Sequence, residues 1–360
     1  MACPDPSRLK SRASANRIAN LGAEYAWLDV LCLQQAGGQD EVVRLKEWEL
    51  DVSTIGDIYH DVRHRETPLL VYYNGLGRSF SIGDLDSERH WFNHVWTLQE
   101  AGRGGGESGK LVHDIIAHDF PAILSPEFNK RVIGAWQSVV QKLPNLDAIQ
   151  QVSQRYATNP TDKVAALASL MRWTSNVSPI YTEQESPHDA WERLLAVIPG
   201  GWRGELLFGY PVAGEHRYSW APSWAQLSTP PSMAFEVHVW LAATTKESVY
   251  RLMRDTVFLF PKVKIGGLDS DEWERRVSNP ERLGSVIVED STGITRSVPV
   301  VARHATRADP TIACELMSPK GYYGYEASPP AVVGVRDENG YLRKICVVEL
   351  QLTKDEYVEL

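Results

Sequence analysis

Few features of this sequence assign it to a chemistry at once, and several are missing outright. Its four cysteines, Cys3, Cys32, Cys314 and Cys346, lie far apart with no Cys-x-x-Cys pair, which excludes a disulfide framework and a zinc module. Basic residues are in deficit, 37 Lys and Arg against 46 Asp and Glu, for a net charge of -9. A general nucleic-acid binder needs a basic footprint to neutralise phosphates, so that class is set aside. No apolar run is long enough to cross a bilayer. The start, Met1 to Pro6, is polar and lacks the apolar core of a secretory leader. Asn176-Val177-Ser178 fits a glycosylation sequon, yet without a route to the secretory pathway it reads as ordinary sequence. These absences lead us to expect a reduced, cytoplasmic protein with no membrane span.

What is present is the composition of a globular protein with a sizeable core: 43% apolar and 23% charged residues over 360 positions, a length that suits two domains. Apolar positions Ala15, Ile18 and Ala19 share one helical face in residues 8–21, and Gly22 would stop that helix. A strand over Tyr25–Leu33 follows, then a Gly37-Gly38 loop. Leu45, Trp48, Val52, Ile55, Ile58, Tyr59 and Val62 form the stripe of a helix from about Asp40 to His64. Leu69–Tyr73, closed by Asn74-Gly75, reads as a second strand, and Trp91–Ala101 as a further helix before the Gly-rich break Gly102–Gly109. Strand, helix, strand predicts a parallel sheet with crossover helices over residues 1–110. Residues 111–200 read as mostly helical, for example Val164–Met171. Residues 201–360 read as β-rich, from short runs such as Glu205–Phe208, Ser285–Val288 and Ile345–Val348.

Several motifs weaken on inspection. Gly104-Gly105-Gly106-Glu107-Ser108-Gly109-Lys110 is close to a P-loop, but Leu111 stands where Ser or Thr must hold Mg²⁺, and the segment reads as a linker. His60 with His64, and His113 with His118, have helical metal-ligand spacing without a third ligand nearby. Cys32 ends the first strand with no neighbouring His to activate it, the position of a small core residue. Asp29 is harder to set aside. A carboxylate inside Trp27-Leu28-Asp29-Val30-Leu31 costs several kcal/mol unless it is paired or opens to a cleft. Trp96 and Glu100 stand one helical turn apart, so indole and carboxylate share a face. The competing reading is one packed aromatic and one solvated acid.

The ordered set Trp27-Leu28-Asp29-x-x-Cys32-x-x-Gln35, Glu47, Ile58-Tyr59 and Trp96-Thr97-Leu98-Gln99-Glu100 resembles the fungal heterokaryon incompatibility (HET) domain. Trp202–Pro211 and Trp220-Ala221-Pro222-Ser223-Trp224 look like the C-terminal region of HET proteins from mushroom-type fungi. The resemblance is sharp over residues 10–101 and diffuse beyond. It implies an effector of vegetative incompatibility, in which fusion of unlike hyphae triggers regulated cell death, with a protein partner or allelic non-self determinant and self-association into homo-oligomers. It also implies a TIR-like, flavodoxin-like parallel sheet at 1–110, followed by an α+β C-terminal region. By the same resemblance Glu100 is the catalytic carboxylate of an NAD-cleaving site that Trp96, Asp29 and Gln35 border. NAD is then substrate, and neither cofactor nor metal is required. The alternative from a different class is a non-catalytic protein-interaction module, or an inactive truncated relative.

The sequence departs from the family in two places. The Ser-Tyr-x-Trp-Gly block that usually opens a HET domain does not precede the first helix, so the domain is expected to be N-terminally incomplete. A late strand such as Ile345–Leu350 is one segment that could fill the gap. Position 94 is His where the family usually has Arg, which would weaken the hold on a phosphate or carboxylate.

Overall fold

The structure is a computed structural model. It describes residues 32–38, 40–58, 86–88, 90, 93–101, 145–172, 181–215, 217–228, 241–242, 251–252, 257–269, 281–289, 293–304, 306–320, 328–338 and 342–352. The chain divides into two compact units, Met1–Ala190 and Trp191–Leu360. Asp29, His60, His64, His113, His118 and the segment Leu69–Tyr73 lie outside the described residues.

In the first unit the described elements are helical: α1 Glu41–Asp51, α2 Thr97–Ala101, α3 Asn145–Gln154 and α4 Thr161–Arg172. Asp40 caps α1 by accepting from the Val43 amide at 3.4 Å. The helix gives way at Val52–Thr54 to a 3₁₀ turn and then to helical backbone at 55–58, so the long stripe expected from Asp40 onwards is interrupted there. Val164–Met171, read as helical from its composition, lies inside α4. α5, Pro187–Val197, spans the division between the units.

In the second unit α6, Gly200–Gly209, precedes a strand pair, β1 Leu241–Ala242 with β2 Arg251–Leu252. Six further strands follow: β3 Val257–Gly266, β4 Arg282–Glu289, β5 Thr295–Ala302, β6 Cys314–Pro319, β7 Pro330–Arg336 and β8 Leu342–Leu350. They close a barrel in the order β3-β4-β5-β8-β7-β6, with every neighbouring pair antiparallel. β6 returns beside β3 after the β3-β4-β5 meander, which is a Greek key. Val263, Ile265, Val286, Val288, Val298, Val300, Leu316, Val333, Val348 and Leu350 fill the interior, each on the inward half of a period-2 alternation.

This architecture corrects the fold expectation. Among the described residues the sheet-forming strands are antiparallel and form no parallel flavodoxin-like sheet; an isolated parallel bridge joins His94 to Tyr156. The connection between β4 and β5, residues 290–294, and that between β7 and β8, residues 337–341, are too short for parallel crossovers, which need a dozen or more residues. At the end of the expected first strand, Cys32 is helical and Leu33 lies in a bend. Glu205–Phe208, read as a β-like run, sits inside helix α6. Ser285–Val288 and Ile345–Val348 do lie in strands, β4 and β8. Ile345–Leu350 is taken up by the barrel, paired to β7 along its length and to β5 at its end.

The barrel's narrowest seam is between β5 and β8. Only Val300 with Leu350 and Val301 with Glu349 pair there. Side chains and loops carry the closure further. Gln351 N–H donates to Pro299 O at 2.9 Å, and Val347 N–H to Pro211 O at 2.8 Å. Arg303 Nε donates to Glu349 Oε1 at 2.7 Å. The buried His304 bridges its Nε2 to Val347 O at 3.0 Å while its Nδ1 accepts from the Thr306 amide at 3.1 Å. A backbone N–H can only donate, so the proton resides on Nε2 and the ring is neutral. Lys344 Nζ, also buried, donates to Leu207 O at 2.8 Å and Tyr210 O at 2.7 Å, the carbonyl end of α6, where a helix welcomes a donor. Burial pushes the Lys344 ammonium down to about 7.

Two predictions follow from the barrel. Burial, with Arg282 nearby, holds the His304 pKa down at about 4, against an ordinary value of 6.5. The unfolded chain therefore takes up the proton first on acidification, so the stability that His304 contributes is complete above pH 6.5 and is lost as pH falls through about 4. Denaturant titrations between these limits should show a shallower pH slope for His304→Gln than for wild type. Lys262 has φ +64° at the bulge between Phe260 and Val263, a left-handed conformation that costs an L-residue roughly 1–2 kcal/mol. Glycine's extra unfolded-state entropy offsets part of the relief, so Lys262→Gly should stabilise the barrel by about 0.5–1 kcal/mol in urea melts.

Candidate functional site

Leu33, Trp48 and Trp96, which lie in or beside segments that carry the family resemblance, meet around a ring that the resemblance does not include, Tyr181. Leu33, Val52, Ile55, Ala165 and Tyr181 form one buried cluster, with Trp48 and Trp96 packed against it. The centroids of Trp48 and Trp96 each lie 6.3 Å from that of Tyr181, both tilted, within the range of favourable aromatic pairs. α1 supplies Arg44 and Trp48, and the 3₁₀ turn that follows it supplies Val52, residues four apart along one side.

Polar bonds fasten the cluster. Asp162, in the first turn of α4, accepts from the Tyr181 hydroxyl at 2.9 Å on Oδ1 and from the Trp96 indole Nε1 at 3.2 Å on Oδ2. Burial raises the Asp162 carboxyl above the ordinary aspartate value, and the Tyr181 and Trp96 hydrogen bonds oppose that rise. Burial and the neighbouring Asp162 push the Tyr181 hydroxyl well above its usual range, so it is a permanent donor. The Trp48 indole donates to Gln34 O at 2.6 Å, and the Gln34 amide donates to Glu47 Oε2 at 3.2 Å.

An ionic cluster lies on the α1 side. Arg44, 3% exposed, bonds Glu41 Oε1 and Glu183 Oε2, its Nη2 at 2.5 Å from each, and its guanidinium lies 5.3 Å from the Trp48 ring centroid. The Glu41 hydrogen bond and Glu183 raise the Arg44 pKa further above its already high value, and Arg44 in turn lowers that of Glu41. Asn159 Nδ2 donates to Glu183 O at 2.9 Å, and the Thr161 hydroxyl to Glu185 O at 2.7 Å. These bonds hold residues 181–185 against the start of α4.

Of the residues that the resemblance assigns to substrate, Trp96 is half-buried in this cluster. Gln35 is exposed, and its amide Nε2 turns back to Leu33 O at 3.0 Å. Glu100 belongs to α2, whose first residue, Thr97, follows Trp96 directly. Cys32 is half-buried. His94 sets its ring edge-on to Tyr156 at 5.5 Å, and burial lowers its pKa. Trp96 and the Leu33–Gln35 segment are thus brought to one cluster. Among the described residues no group of three or more His, Cys, Asp or Glu is placed to hold a metal ion.

Sequence reasoning missed Asp162, Tyr181 and the Arg44–Glu183 pair. Asp162 carried one readable signal, an acid in the first turn of a helix, which is ordinary there; Tyr181 carried none. No family model, curated protein or solved structure matches the chain. No helix among the described residues is long and apolar enough to cross a membrane.

Close packing in this region hinges on Gly56. A Cβ there would lie 2.6 Å from Ser169 Oγ on α4 and 3.7 Å from Gln99 Oε1 on α2, and Ser169 and Gln99 are both buried. Gly56→Ala should cost about 1–3 kcal/mol in chemical denaturation. Adding Ser169→Ala, which removes the clashing oxygen, should return most of that loss.

Proposed function

We propose that this chain is an effector of HET type in fungal vegetative incompatibility, coupling recognition of a protein non-self determinant to regulated cell death. The observation that carries the reading is the convergence of the motif segments. The Leu33–Gln35 stretch, Glu47 beside Trp48, and Trp96 are joined in one cluster, although 60 or so positions of sequence separate the first from the last.

Within that reading the geometry favours a protein-interaction module. The polar edge of Trp96 is engaged by Asp162 and its ring lies against Tyr181. The Gln35 amide is engaged by its own segment. The Trp96 indole is therefore satisfied within the cluster, and the exposed Gln35 amide bonds back to its own segment. The second reading, NAD hydrolysis at Glu100, is supported by the Trp-x-x-x-Glu spacing and by Trp96 immediately preceding the helix that carries Glu100. A carboxylate there could stabilise the oxocarbenium-like ribose left when nicotinamide departs.

The test has two readouts. Expression of wild type and Glu100→Ala in fungal hyphae should cause death to the same extent if the module reading holds, and purified wild type should leave NAD unconsumed. NAD loss that Glu100→Ala abolishes, together with loss of killing, would establish the enzymatic version instead. No killing by well-folded wild type, alone or with a genetically unlike partner strain, would defeat the effector reading.

A further inference from the structure

α2 is described over Thr97–Ala101, and a run of five residues has little helical stability of its own in water. Contacts with other segments hold it. Val95 N–H donates to Tyr156 O at 2.9 Å. The Thr97 hydroxyl accepts from Arg155 Nη1 at 3.0 Å and donates to His94 O at 2.7 Å. Tyr156 N–H donates to Asn93 O at 2.7 Å, and the Trp96 indole is tied to Asp162. An indole N–H can only donate and an ionised carboxylate can only accept, so the sense of this bond is fixed. Asp162 is 6% exposed, its backbone is set by an amide bond to Asn159 O at 3.0 Å, and its second oxygen is held by Tyr181. Trp96 therefore meets a carboxylate whose position is already determined by α4 and by Tyr181.

We propose that Asp162 is a positioning residue for the Trp96–Glu100 block, acting through the Trp96 indole and steadied by Tyr181. The inference rests on the reading of that block as the working part of a HET-type effector. It also extends that part: Asp162 and Tyr181, beyond the reach of the sharp resemblance, are needed to present the block correctly. A purely local role for Asp162, as a first-turn acid favoured by the α4 dipole, would affect α4 without passing through Trp96. The two accounts differ in whether Asp162 and Trp96 are coupled.

A double-mutant cycle on the full chain decides between them. In protein labelled with ¹⁵N at tryptophan, the Trp96 indole resonance is identified by its loss in Trp96→Phe. Asp162→Asn should move that resonance, leave the other indole signals in place, and speed amide exchange over residues 97–101 by about tenfold or more. Killing in hyphae should fall with it, and Asp162→Asn should add nothing in the Trp96→Phe background. Additive losses in the two backgrounds, or an unmoved Trp96 resonance, would overturn the proposal. If Asp162→Asn does not fold, Tyr181→Phe serves, because it frees one oxygen and leaves the indole bond. A shifted Trp96 resonance with faster exchange over 97–101 then supports the proposal, and an unchanged one overturns it. Coupling seen by resonance and exchange in a chain that never kills would leave the positioning role standing and defeat the effector reading alone.

Discussion

Asp162 is a carboxylate buried among aromatic rings, and such a group is tolerated only when its lone pairs are met. Tyr181 and Trp96 meet them from two directions. This single requirement ties together three stretches of chain: the start of α4, the segment around Tyr181, and the residue that leads into α2. Hydrogen bonds to a charged group are worth more than neutral ones, roughly 1.5–3 kcal/mol each. Losing either donor would also leave part of a buried charge unmet. The apolar contacts around Tyr181 supply cohesion without direction, and the carboxylate supplies the direction.

The second unit solves a related problem by other means. A Greek-key barrel must close on itself or leave an edge open to pairing with other chains. Here the closing ladder between β5 and β8 is only two residue pairs long. His304, Arg303 and the Pro211–Val212 segment continue the closure where strand pairing stops. Lys344 adds a bond from β8 to the last carbonyls of α6, so the helix that precedes the barrel is fastened to the strand that completes it. Burial shifts both His304 and Lys344 toward their uncharged forms, and among the described residues neither forms an ion pair.

How far these features were legible in the sequence depends on whether burial was one-sided. β4 alternates inward Val286 and Val288 with outward Ile287 and Glu289, and its period-2 pattern could be read directly. α4 was legible as a run of strong helix formers. α6 was misread because Trp202, Arg203, Gly204, Leu206, Leu207, Phe208 and Gly209 are all buried. A helix buried all round loses its 3.6-residue signature, and a short apolar run then cannot be told from a strand. The parallel sheet was inferred for residues 1–110 from alternating strand-like and helix-like runs, a local pattern that says nothing of pairing direction; the described residues there, chiefly 32–58 and 93–101, are helical or irregular. In the candidate site Trp96 stood out as part of a motif, while its acceptor lay 66 positions away and its neighbour Tyr181 had no pattern around it. Partners at that separation leave no trace in a single sequence.

The loss of the parallel sheet bears directly on function. Among the described residues there is no crevice outside the carboxyl ends of parallel strands, where such folds seat a dinucleotide, and NAD cleavage rests on the spacing of Trp96 and Glu100. Catalysis at a developing positive charge needs a carboxylate held rigidly beside an open, water-poor pocket. Recognition of a protein partner needs less: a surface whose backbone is held in one shape, with hot-spot side chains on top of it. The cluster around Tyr181 meets the second requirement from the inside. Its aromatic and ionic bonds fix where α1 and α2 lie relative to one another, and Arg44, buried between Glu41 and Glu183, locks α1 to the 181–185 segment. Leu33, Trp48 and Trp96 stand far apart in the sequence, and packing on Tyr181 is what brings them together.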